Sequence, residues 1–129
     1  MDRRILLAGA AAAGLALSLM PVMAAGIAPY EAKAFAKAVA AGPVVVHVHA
    51  DWCPVCKAQR PTLTSLSNDP KFKAVTFVSV DFDRDKDFLK ANRVANQSVI
   101  VVFKGGKEVT RLSGVTDGTK IREGIAKAL

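Results

Sequence analysis

The sequence predicts an α/β fold: a mixed four-stranded sheet with helices on both faces. Three observations carry this. Short β-branched runs recur at 44–49, 75–80 and 99–103, each the length of a buried strand. Helix-like stretches separate them. Gly105-Gly106, set between Lys104 and Lys107, marks a hairpin turn after the third run. Helices between successive strands imply right-handed parallel crossovers, and the hairpin implies an antiparallel neighbour.

The elements follow in order. A first helix is predicted over 30–41, where Phe35 and Val39 lie four apart with Lys33 and Lys37 interleaved. Gly42-Pro43 stops it. Residues 44–49 form the first strand. A second helix runs over about 54–66, and Asn68-Asp69-Pro70 turns the chain. The second strand is 75–80, a short helix spans 85–92, and the third strand is 99–103. The hairpin leads into a fourth strand at 108–112. A last helix covers 117–129, with Asp117 as its N-cap. No strand is predicted ahead of the first helix.

Composition narrows the functional classes. The chain has 129 residues, 51% hydrophobic and 22% charged, which suits one globular domain and excludes a disordered chain. Two cysteines, Cys53 and Cys56, exclude a multi-bridge disulfide framework and a four-cysteine zinc site. The net charge of +7 favours anionic surfaces. Its basic residues are scattered without aromatic interleaving, so no nucleic-acid partner is expected. A monomer is expected.

Residues 1–24 read as a secretory signal peptide. Arg3 and Arg4 make a basic start, Ile5 to Leu19 an apolar stretch, and Val22-Met23-Ala24 a small-residue cleavage site after Pro21. The domain is then 25–129. An uncleaved anchor over residues 5–28 is the rival reading, since no charge occurs from Ile5 to Tyr30. Asp2-Arg3-Arg4-Ile5-Leu6-Leu7 also resembles a twin-arginine export signal. Either way the domain is expected outside the cytosol, in the periplasm or an equivalent compartment where disulfides form.

The segment with chemical content is Ala50-Asp51-Trp52-Cys53-Pro54-Val55-Cys56-Lys57. A Cys-x-x-Cys pair between a strand and a helix places its first sulfur at the helix N-terminus. Free N–H groups and the helix dipole there favour thiolate over thiol. The thiolate attacks a substrate disulfide, and the second cysteine, one turn on, resolves the mixed disulfide. Pro54 suits the first turn because its missing N–H would find no partner there.

With these residues in view, the chain resembles the thioredoxin superfamily over nearly all of 30–129. The likeness rests on Trp52-Cys53-Pro54-Val55-Cys56-Lys57, Pro61 within the following helix, Val80-Asp81-Phe82-Asp83, Phe103-Lys104-Gly105-Gly106-Lys107 and Gly114. Ala50-Asp51-Trp52-Cys53 with Cys56-Lys57 is especially similar to the exported thioredoxin-like domain of the transmembrane disulfide-interchange reductase. The resemblance implies a thioredoxin-like fold and thiol–disulfide oxidoreductase activity on other exported proteins. It also implies Cys53 as nucleophile and Cys56 as resolving thiol. No bound cofactor is implied. Electrons would come from a partner thiol protein, which the resemblance allows to be membrane-bound. Trp52, Gln97 and Ser98 would border the substrate groove.

The chain departs from the family at three positions. His47 stands where the family usually has a buried Asp, six residues before the first cysteine, and His49 stands where an aromatic residue is frequent. A neutral His47 is expected to take the proton of Cys56. Ser98 stands where the family has a cis-proline. A cis bond before a non-proline costs about 2.5–4 kcal/mol, so Gln97–Ser98 is expected to be trans. His47, His49, Cys53 and Cys56 together also make a ligand set for zinc or cuprous ion. That keeps a metal-binding module as an alternative, beside a thioredoxin-like adaptor without turnover.

Two weaker patterns are set aside. Asp81, Asp83, Asp85 and Asp87 alternate as in a calcium loop, but Lys86 and Asn92 occupy the positions that need Gly and Glu. Asn96-Gln97-Ser98 is a formal glycosylation sequon beside the expected site.

Overall fold

The computed structural model describes residues 26–129. The expected export segment 1–24 lies outside the described residues. Ile27 and Ala28, counted above within the candidate anchor, belong to a strand. Among the described residues, no helix is long and apolar enough to cross a membrane.

The order is β1 (Ile27–Pro29), α1 (Ala32–Ala41), β2 (Val44–His49), α2 (Pro54–Ser67), a 3-10 turn (Pro70–Phe72), β3 (Thr76–Asp81), α3 (Lys86–Ala91), β4 (Val99–Lys104), β5 (Lys107–Ser113) and α4 (Gly118–Ala126). The sheet has five strands in the order β1-β3-β2-β4-β5, one more than expected. The extra strand is β1. It has three residues, one of them Pro29, so it shows no alternation, and it sits at the edge, where a missing N–H is tolerated. β1 and β2 both run parallel to β3, while β4 is antiparallel to β2 and to β5.

Helix ends follow local chemistry. The Glu31 carboxylate accepts from the N–H groups of Lys33 and Ala34, so α1 begins after Glu31 rather than at Tyr30. Asp117 caps α4 by accepting from the Lys120 N–H at 3.0 Å, as expected. Gly105 and Gly106 have φ of 62° and 77°, the left-handed geometry a two-residue hairpin demands.

Strand β2 is central and covered on both faces, which explains its valine-rich run and the burial even of His47. Val44, Val46 and Val48 pack with Phe88 and Leu89 of α3, and Phe35 of α1 joins from the edge. Val45 packs on the opposite face with Leu63 and Leu66 of α2 and Ile121 and Ile125 of α4. Side chains alternate along a strand, so His47 and His49 share the face of Val45, beneath α2.

Candidate active site

Cys53 is the N-cap of α2. Its backbone is extended, with φ −92° and ψ 112°, and its sulfur accepts from the Cys56 N–H at 3.2 Å. Pro54 occupies the first turn, as expected. Cys56 Sγ lies 2.6 Å from Cys53 Sγ, and both cysteines are free. Both cysteines are buried, Cys56 completely and Cys53 almost so.

The two thiols are pushed in opposite directions. Burial disfavours charge on Cys53. Hydrogen bonds from the Cys56 thiol, the Ser98 hydroxyl and the N–H groups of Cys56 and Val55 outweigh it and hold the thiol below its ordinary pKa. Burial raises Cys56, and its bond with Cys53 raises it further. The arrangement makes Cys53 the readier thiolate and keeps Cys56 protonated.

Trp52 is 59% exposed at the mouth of the site. Its indole N–H donates to an Asp83 carboxylate oxygen at 2.9 Å, which ties the loop before α2 to the end of β3. Gln97 is half-buried next to Ser98. Ser98 is buried, its peptide bond to Gln97 is trans as expected, and its Oγ lies 3.1 Å from Cys53 Sγ and 3.3 Å from Cys56 Sγ.

His47, expected to take the proton of Cys56, is placed against Gln59 instead. His47 makes no hydrogen bond to Cys56; its Nε2 lies 2.9 Å from Gln59 Oε1. The Gln59 amide N–H groups meet two carbonyls, Ser98 at 3.1 Å and Val115 at 2.9 Å. Its oxygen therefore faces the imidazole, which must carry a proton on Nε2 and donate it. Burial lowers the His47 pKa to about 4, against the opposing Gln59 bond and with help from His49 and Arg60.

Gln59 was not foreseen. It is fully buried, and its signal is positional: it falls on the stripe of Cys56, Leu63 and Leu66, the buried face of α2.

The four-residue metal set does not assemble. The imidazoles of His47 and His49 stack with centroids 5.9 Å apart. They line a cleft with Asp51, Arg60 and Thr64 that neither cysteine enters. Among the described residues, no three His, Cys, Asp or Glu side chains are arranged to hold a metal ion. His49 Nδ1 is buried without a hydrogen-bond partner.

Comparison with known proteins agrees with this geometry. The family model described as Thioredoxin matches residues 26–127. A thioredoxin of Chlamydia trachomatis is 32% identical over 93 residues, covering 72% of this chain and 89% of the relative. Thioredoxin-2 of Saccharomyces cerevisiae is 31% identical over 83 residues, covering 64% and 77%. Among solved structures, Trxlp from Edwardsiella tarda superposes with a TM-score of 0.73 at 38% identity, covering 76% of this chain and 96% of that one.

Proposed function

The chain belongs to the thioredoxin family and is a thiol–disulfide oxidoreductase built on the Cys53-x-x-Cys56 pair; from that premise we propose that it works outside the cytosol, reducing or exchanging disulfides in other exported proteins. One observation carries the mechanism: the Cys53 sulfur caps α2 while the Cys56 sulfur lies beside it.

Cys53 attacks as the thiolate. A Cys53–substrate bond forms, the substrate disulfide breaks, and its electron pair leaves on one substrate sulfur. Cys56 then gives up its proton and attacks Cys53 Sγ. The mixed disulfide breaks, and the second substrate sulfur departs and takes up a proton. The substrate gains two electrons and two protons, and the protein is left with a Cys53–Cys56 disulfide.

Trp52 and the Gln97-Ser98 segment border the groove in which the substrate chain lies. Family members act on disulfide-bearing substrates without a bound cofactor, so a partner thiol protein restores the dithiol. The apolar stretch Ile5 to Leu19 behind Arg3 and Arg4 supports export.

The groups that favour the Cys53 thiolate are hydrogen-bond donors, none of them a cation. Strong oxidants of this chemistry owe their potential to a strongly stabilised reduced form. The pair is therefore expected to equilibrate with glutathione buffers nearer to about −270 mV than to about −120 mV. A value at the oxidising end overturns reduction as the direction.

A further inference from the structure

We propose that the Ser98 hydroxyl is a third catalytic group of this site, the hydrogen-bond donor to whichever sulfur carries the negative charge, and that Gln59 is the residue that positions it. The inference rests on the reading of Cys53 and Cys56 as the redox pair.

Ser98 Oγ lies within hydrogen-bond reach of both sulfurs, at 3.1 Å and 3.3 Å. A hydroxyl has one proton, two lone pairs and a free rotor. It donates to one sulfur while accepting from the other, and it exchanges these roles by rotation. With Cys53 ionised, Ser98 donates to Cys53. Once Cys53 has bonded to the substrate sulfur, its charge has left with the departing substrate thiolate, and the donor is released. When Cys56 loses its proton to that departing thiolate, Ser98 turns to donate to Cys56 until its attack on Cys53 is complete. Ser98 is only 6% exposed, so little water competes for these bonds.

The backbone of Ser98 shows what this placement costs. Its φ is +64°, a left-handed conformation in which glycine is unstrained and other residues are uncommon. Three contacts hold it there. Its N–H donates to the Val48 carbonyl at 2.8 Å, and its carbonyl accepts from the Gly114 N–H at 2.9 Å and from Gln59 Nε2 at 3.1 Å. Gln59 also bonds the Val115 carbonyl and accepts from His47. One buried amide thus joins α2, β2 and the segments preceding β4 and α4. A side chain with a hydroxyl stands where glycine would fit without strain, and that hydroxyl meets both reacting atoms.

The test is the pH dependence of iodoacetamide alkylation of Cys53 in the reduced full chain, read by mass spectrometry. Ser98→Ala and Ser98→Gly both remove the hydroxyl, and the glycine variant also relieves the backbone. Both are expected to raise the alkylation midpoint by about one pH unit, about tenfold less thiolate at neutral pH. Gln59→Met is expected to raise it in the same direction by less. A merely structural Gln59 would lower thermal stability and leave the midpoint in place. Unchanged midpoints in both Ser98 variants overturn the proposal. A shift in the glycine variant alone also overturns it, because backbone freedom then explains the effect. A wild-type Cys53 no more reactive than a free thiol would instead overturn the redox-pair reading itself.

Discussion

Cys53→Ser is expected to cut the reduction of a disulfide-bearing test protein by more than about a thousandfold, because a hydroxyl at the α2 N-terminus does not ionise near neutral pH. Cys56→Ser is expected to behave differently. The first attack proceeds, and the reaction stops at a mixed disulfide on Cys53. The asymmetry follows from the structure: the Cys53 thiolate is favoured at the α2 N-terminus, while Cys56 is fully covered and its pKa raised. Turnover under dithiothreitol and non-reducing electrophoresis of the Cys56→Ser chain recovered from cells read the two results. Trapped adducts would identify the protein's targets. Equal loss in both variants with no adduct would leave the redox assignment without support.

The second large effect concerns stability. His47 titrates near 6.5 when unfolded and at about 4 when folded, chiefly because it is buried. Between these values the unfolded chain binds a proton that the folded chain refuses. Stability is therefore full above pH 6.5 and falls as pH drops toward 4, by about 3 kcal/mol across the window. Urea unfolding at pH 7.5 and pH 4.5 measures it, as conditions on the order of one unit outside and two units inside that range. His47→Leu is expected to be less stable at the higher pH, since Gln59 Oε1 loses its donor. It should also lose much less on acidification than the natural chain does. Equal acid loss in both chains would assign the slope to carboxylates instead.

Much of this molecule is legible along the chain, for stated reasons. β2, β3 and β4 announce themselves as short runs rich in buried β-branched and aromatic residues, β4 the least interrupted of them. The hairpin is legible because two adjacent residues at positive φ call for glycine. The dithiol is legible because its chemistry needs a helix start and a one-turn spacing. What escapes is set by contacts between distant segments. β1 is three residues held by its pairing with β3 rather than by any pattern of its own. Gln59 has the position of a buried residue on α2, but its role shows only once His47, Ser98 and Val115 are seen to surround it. The positive φ of Ser98 has no local signature, because serine does not demand it. His47 is legible as a departure from the family, but its partner Gln59, twelve residues on, is not.

The indole held against Asp83 has a practical consequence. Trp52 is the only tryptophan in the chain and immediately precedes Cys53. Tryptophan emission, excited selectively beyond the absorption of Tyr30, thus comes from one fluorophore at the rim of the groove. Its emission is expected to change as the neighbouring sulfur bond closes and opens, which would let oxidation be followed in real time without attaching a dye.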